Sequence, residues 1–297
     1  MINPFIGAIL FVIFAPVLGG LVAGIDRKVT AHMQGRVGPP ILQPFYDIFK
    51  LFEKESAVVR PEINFYIFCY LVFLVITGAI FFAGEDILLV IFALTLAHVF
   101  IVIAAYASSS PYAHVGAERE LLMMMAVEPM LILAAAGMYV ATGSFFVGEI
   151  IDFQLGGGGL LVTWIPLLFI GVVYILTIKL RKSPFDISTS HHAHQELVKG
   201  LTTEFSGPTL GMYEIAHLYE LVFLLGFVWL FFAGSPLLGI VVVAVVYFLE
   251  ILIDNTNTRA KWQFALRSAW LAALVLGVIN LVALVLGIIQ PGTLGVL

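Results

Sequence analysis

Residues 86–106, DILLVIFALTLAHVFIVIAAY, form an apolar run with one ionisable side chain, His98, between its ends. A run of this length crosses a ~30 Å hydrocarbon core as an α-helix rising ~1.5 Å per residue. It lacks the alternation of apolar and polar residues that a membrane β-strand shows, and it is about twice the length such a strand needs, which argues against a barrel. Comparable runs of about 18 to 24 residues lie at 3–25, 63–83, 121–143, 160–180, 208–233, 236–254 and 268–290. The expectation is an all-α integral membrane protein of about eight transmembrane helices, one polytopic domain over 1–297. Composition agrees: 61% of residues are hydrophobic, 11% are charged and mean hydropathy is +1.08, whereas a soluble domain carries about 25% charged residues.

Basic residues near helix ends are retained on the cytoplasmic side, and here their partition is complete. Arg27, Lys28, Arg36, Lys50, Lys54 and Arg60 follow the first run, and Arg119 follows the third. Lys179, Arg181, Lys182 and Lys199 surround the connection after the fifth, while Arg259, Lys261 and Arg267 follow the seventh. Both termini are therefore expected outside, with long basic connections in the cytoplasm. The net charge of -5 hides this asymmetry, because the carboxylates are spread over both sides. No Lys or Arg precedes the first run, and Arg27 and Lys28 follow it as a stop-transfer flank, so that helix is expected to be retained. The one cysteine, Cys69, excludes an internal disulfide and cannot by itself build the four-thiolate shell of an iron–sulfur cluster. Redox centres are expected in partner subunits.

The outward connections are short, and the glycine run at 156–159 reads as a turn, since no Lys-Ser/Thr follows it. The inward connections, 26–62 and 181–207, are long and hold most of the polar residues. Within the first, PFYDIFKLFEKE (44–55) puts Phe45, Ile48, Phe49 and Phe52 on one side at helical spacing, with Asp47 and Lys50 elsewhere. This predicts an amphipathic cytoplasmic helix after helix 1, preceded by the turn-rich QGRVGPP (34–40). It could serve as a surface anchor only.

Charged groups inside a bilayer cost about 3 kcal/mol or more and are functional candidates by default. Glu128 precedes Pro129 in the fourth run, where the proline is expected to kink the helix and free carbonyls beside the carboxylate. Glu214, His217 and Glu220 follow at three-residue steps on one side of the sixth. Glu250 lies near the inner end of the seventh, with Asp254 one turn later. Such a series can pass protons, because burial moves carboxylate and imidazole titration toward neutrality. The competing reading is interhelical hydrogen bonding, which for His98 alone is the commoner role.

The most polar connection, SPFDISTSHHAHQELVKGLTTEFSG (183–207), carries Asp186, His191, His192, His194, Glu196, Lys199 and Glu204. A His-His-x-His run without a second ligand cluster lacks the helical spacing of a zinc enzyme. Proton uptake or hydrogen bonding to a docked partner fits these histidines better, and no metal is expected. No P-loop, dinucleotide fingerprint, nucleophile elbow or nickel-binding cysteine pair is present.

Pro184-Phe185-Asp186, Glu196-Leu197, Gly200 and Glu204-Phe205-Ser206-Gly207, together with Arg36-Val-Gly-Pro39, Gln43, Asp47, Lys50, Glu55, the acidic stretch from Glu118 through Arg119 to Glu120, Glu128, Arg259, Trp270 and Asn280, span nearly the whole chain. In that order they resemble the membrane subunit shared by respiratory complex I (its H-type subunit) and the energy-converting hydrogenases. The resemblance implies a membrane anchor on which a hydrophilic redox arm docks, with loops that in complex I form the quinone chamber and the start of the proton route. It implies ion coupling by Glu128, Asp186, Glu196, Glu204, Glu214, His217, Glu220 and Glu250. It implies arm docking or cavity lining by Arg36, Gln43, Asp47, Lys50, Glu118, Arg119, His191, His192 and His194.

Between Pro-Phe-Asp and Glu-Leu the complex I pattern is compact and acidic, whereas this chain reads ISTSHHAHQ (187–195). That form is similar to the EchB-like membrane subunit of Ech-type energy-converting nickel–iron hydrogenases. The implied complex, in a prokaryotic cell membrane, takes electrons from ferredoxin, reduces protons to hydrogen at a nickel–iron site, and drives protons or sodium ions outward. The implied partners are hydrogenase large and small subunits, an iron–sulfur subunit, an antiporter-like membrane subunit and membrane lipid, with no nucleic acid. Two other readings stand beside it: a quinone-site subunit of a complex I-like dehydrogenase, and a free-standing secondary transporter, for which intramembrane acids alone are equally good support.

Overall fold

The structure, a computed structural model, describes residues 4–57, 60–190 and 197–289. Among the described residues the α-helices are α1 Pro4–Met33, α2 Gln43–Glu53, α3 Glu62–Phe82, α4 Ile87–Tyr106, α5 Pro111–Thr142, α6 Val147–Phe153, α7 Leu161–Trp164, α8 Pro166–Lys179, α9 Pro208–Leu230, α10 Pro236–Thr256, α11 Trp262–Ala272 and α12 Ile279–Val285. Among the described residues seven helices are long and apolar enough to cross a membrane, α11 and α12 counting as one through a π-helical stretch, and α8 is a shorter apolar helix. The chain is a multi-pass membrane protein with about eight transmembrane helices, as the sequence predicts.

The departures from the predicted boundaries have local causes. The fourth span starts ten residues before its apolar run, at Pro111, because Ser110-Pro111 supplies a helix start with proline in the first turn. Glu118, Arg119 and Glu120 consequently ride on α5 and not in a connection. That helix runs through Pro129 as one element of 32 residues and stops at Gly143, whose φ of 82° suits glycine. The first span continues past its apolar run to Met33, since Asp26 on the extension is held by Lys182 at 2.6 Å and by the Tyr247 hydroxyl at 3.0 Å. The predicted span 160–180 breaks at Ile165. Pro166 starts α8 there, and the bared amides of Leu167 and Leu168 donate to the Asn280 side chain of α12 at 2.8 and 3.1 Å. Such repayment is what irregular backbone at membrane depth requires.

α5 sits against α4, α8 and α11, while α9 sits against α1, α3 and α10, and α3 pairs with α4 to join the two groups. One apolar core runs through both. The amphipathic helix is present as α2, laid against α1 and α9, with the Phe52 ring against Gly211 of α9 and Phe49 exposed.

The connection after α8 is folded inward. Phe185, Ile187, Ser188, Leu201 and Phe205 are buried, the Ser188 carbonyl accepts from the amide of Leu201 at 3.0 Å, and the Pro184 carbonyl accepts from that of Ala260 at 2.9 Å. Contact with α5 is made at Gly116, where an added Cβ would lie 2.3 Å from the Leu201 nitrogen and 2.7 Å from the Gly200 carbonyl carbon. His191, His192, His194 and Glu196 lie outside the described residues.

Gly116→Ala should therefore lower the apparent Tm of the detergent-solubilised protein, because overpacking at roughly 1–3 kcal/mol outweighs the ~1 kcal/mol gain in helix propensity. Gly156→Ala, which would meet nothing within 4 Å, should leave it nearly unchanged. Equal melting of the two variants would show that the connection does not rest on α5 at this point.

Candidate functional site

His98 on α4, Glu120 on α5 and Glu220 on α9 are brought together inside the bundle by the packing of the three helices. Glu220 has no solvent exposure and His98 has 1%. His98 Nε2 lies 2.9 Å from Glu220 Oε1. The approach is close but poorly aligned for a hydrogen bond, and among the described residues Oε1 has no aligned donor. The Tyr70 hydroxyl donates to the other oxygen, Oε2, at 3.3 Å. His217 Nδ1, without a hydrogen bond among the described residues, lies 3.8 Å from Oε2.

The cations come from the end of α8 and the turn after it. Lys179 Nζ is 3.5 Å from His98 Nε2. Two residues on, Arg181 adopts φ of 50°, uncommon for a residue with a Cβ, and its side chain turns back into the protein. Its guanidinium reaches Glu120 at 2.6 Å and Glu220 at 3.9 Å. Burial works against the Arg181 charge, but Glu120 overrides it and raises the guanidinium further above its usual range. Ser188 donates to Glu120 at 2.5 Å, so the folded connection itself fills the carboxylate's second oxygen.

A neighbouring group is centred on Lys182, which pairs with Asp26. Asp254 accepts from the Ser183 amide at 2.8 Å, and Asp186 takes the Arg259 Nε with both oxygens, at 2.6 and 2.8 Å. Glu250 is fully buried and accepts from Thr177 at 3.2 Å, and among the described residues its second oxygen has no hydrogen-bond partner.

Two cavities open on these groups. One of ≈ 440 Å³ lies between α1, α2, α9 and the connection, touching Asp47, Lys199, Tyr213 and Glu214. The other, of ≈ 250 Å³, touches Lys182, Asp186, Tyr247 and Asp254. Asp26, Arg181 and His217 line both, so the buried cluster is reached from cavity space through His217 and Arg181.

The predicted site residues thus separate. Glu220 and His217 are in the cluster, Glu214 lines the larger cavity, and Asp186 and Glu250 belong to the second group. Glu128 is half-buried and acts on Lys179 only at longer range. Glu204 is half-buried in the connection, with no hydrogen bond or ion pair among the described residues. Asp47 is held by Gln43 at 2.8 Å and Arg27 at 2.6 Å; partial burial opposes its charge, but these partners prevail and lower its titration. Arg36 is exposed and donates to Gln34, while Lys50 and Glu118 are exposed. Arg119 is buried and donates to the Ile187 carbonyl at 3.4 Å.

Sequence reasoning missed Glu120, Lys179 and Arg181 as site members and favoured a packing role for His98. The helix-start signal at Ser110-Pro111 would have put Glu120 on α5 two turns before Glu128. Nothing local marks Arg181 as inward-facing.

A protein-family model described as NADH dehydrogenase matches residues 6–285. Hydrogenase-4 component C of Escherichia coli (strain K12) is 34% identical over 65% of this chain, and the match spans just under two thirds, 64%, of that protein's length. NADH-quinone oxidoreductase subunit 8 of Rhodothermus marinus is 28% identical over 89% of this chain and 90% of that protein. Among solved structures, a chain of the membrane-bound sulfane sulfur reductase, an archaeal respiratory membrane complex, superposes with a TM-score of 0.79 at 27% identity, covering 95% of this chain and 100% of that one. The chain belongs to the NADH dehydrogenase family, that of the complex I H-type subunit, and is a membrane subunit of a complex I-like respiratory or hydrogenase complex.

Proposed function

We propose that this chain is the membrane anchor and ion-coupling subunit of an energy-converting hydrogenase that links ferredoxin oxidation and proton reduction to proton or sodium translocation. The observation that carries the coupling role is the buried series His98, Glu220, Lys179, Arg181 and Glu120, open to a ≈ 440 Å³ cavity through His217. Ionisable groups at this depth serve ion transfer more often than stability. The basic end of the bundle, with α2 and the connection after α8, faces the cytoplasm in this reading and docks a soluble arm. Hydrogenase large and small subunits and an iron–sulfur subunit supply the nickel–iron site and the clusters. An antiporter-like subunit continues the ion path within the membrane. The hydrogenase assignment is supported by the higher identity to a hydrogenase component and by ISTSHHAHQ in place of a compact acidic run.

The larger cavity favours one second reading. Its lining mixes apolar Leu51, Leu210 and Leu218 with Arg27, Glu214 and His217, a composition that suits an amphipathic acceptor such as a quinone. Mild-detergent purification of the tagged protein should bring down partner subunits containing nickel and iron, with hydrogen evolved from reduced ferredoxin without added quinone. Quinone-dependent turnover, or a nickel-free complex, would move the assignment to the second reading.

Within the site, Glu220→Gln removes a charge but little volume, and Arg181 keeps Glu120 as its partner. This variant should assemble normally and lose most ion pumping in vesicles. Arg181→Gln leaves the buried carboxylate of Glu120 uncompensated, at a cost of about 3–5 kcal/mol, and should lower the yield of assembled complex. An undiminished gradient with Glu220→Gln would make the cluster structural.

A further inference from the structure

Within the ion-coupling reading just proposed, we infer that His98 is the group through which a proton passes between Lys179 and Glu220. Its ring is held in one tautomer by the Leu94 carbonyl. His98 Nδ1 lies 2.8 Å from that carbonyl oxygen; a carbonyl only accepts, so Nδ1 carries a hydrogen. All exchange is then left to Nε2, which faces two partners: Lys179 Nζ, within hydrogen-bond distance at 3.5 Å, and Glu220 Oε1 at 2.9 Å, with which the ring must swing into line as it hands the proton on. In the neutral ring Nε2 presents a lone pair. Against a carboxylate oxygen at that distance it is repelled unless a proton lies between them, and against an ammonium it accepts a hydrogen bond.

One proton therefore has three stations. On Nζ, Lys179 is an ammonium donating to neutral His98. On Nε2, the lysine is an amine and the ring is an imidazolium paired with Glu220. On Oε1, the ring returns to the neutral Nδ1–H form and Glu220 is a carboxylic acid donating to Nε2. Each step breaks one bond to hydrogen and forms one, with no other reactant.

The surroundings restrict the proton to this route. Around His98, Tyr70 comes from α3 edge-on, Glu120 from α5, Lys179 from α8, Arg181 from the connection, and Glu220 and His217 from α9. Tyr70 and Arg181 hold Glu220 Oε2, which leaves Oε1 as the oxygen that can take the proton. Arg181 and the single proton together balance Glu120 and Glu220, the arrangement a buried cluster needs to avoid an uncompensated charge. Glu128 adds attraction at the Lys179 end. A cavity of ≈ 10 Å³ touching His98, Glu120, Lys179 and Arg181 has room for about one water, through which Lys179 can be recharged.

The test uses the intact complex. His98→Gln keeps an amide near the Nε2 position but cannot change charge. It should assemble with its partners as the wild type does while ion pumping in vesicles falls at least about tenfold, the lower side of what a positioned proton-transfer group contributes. Infrared difference spectra of ¹⁵N-histidine-labelled complex, wild type against His98→Gln, should contain the neutral Nδ1–H ring mode and its conversion to imidazolium on turnover or acidification. Wild-type pumping by the Gln variant, an Nε2–H tautomer, or a ring state unchanged through turnover and titration would each overturn the inference. If the wild type itself pumps no ions, the coupling reading fails, and the ring mode alone decides whether His98 exchanges a proton with its neighbours.

Discussion

The buried pairing of Arg181 with Glu120 is the contact on which the rest of the site depends. An arginine cannot shed its charge, so burying one requires a fixed carboxylate and hydrogen bonds for its donors. Glu120 supplies the carboxylate at 2.6 Å, and Ser188 fills the second oxygen of that carboxylate. The interaction therefore ties α5, the end of α8 and the connection into one unit. It also accompanies a φ of 50° at a residue with a Cβ: the turn is uncommon for arginine, and from it the guanidinium lies between two acids.

Three cations within four positions share out the acids around them. Lys179 faces His98, behind which stands Glu220, Arg181 faces Glu120 and Glu220, and Lys182 pairs with Asp26. This divides the interior into a central cluster and a second group beside α10, with Arg181 and His217 on the cavity walls between them. A displacement of the connection would shift the cations against both groups of carboxylates at once.

The connection after α8 has the composition of a polar loop yet is packed as core. Its apolar members Phe185, Ile187, Leu201 and Phe205 are buried, and it reaches α5 because Gly116 and Gly200 let two backbones touch. Irregular backbone buried in protein persists only when other groups satisfy it. Asn280 does the same for the broken start of α8. These devices fix the positions of Ser188, Lys179 and Arg181 and hence the geometry of the cluster.

The sequence by itself determined the helical membrane architecture, because every apolar run long enough to span the bilayer must satisfy its own backbone as a helix. It also determined the amphipathic helix, from the spacing of Phe45, Ile48, Phe49 and Phe52, and the three-residue steps that put His217 and Glu220 on one side of α9. Tertiary structure alone decided which ionisable groups meet. Glu120 and Arg181 are 61 residues apart and His98 and Glu220 farther still, and no local pattern encodes a pairing between separate helices. It also decided that Glu204 and Glu128 stand outside the bonded cluster although their settings in the chain suggested otherwise. Periodicity fixes the side of a helix on which a residue lies, while the partner it finds depends on how helices pack.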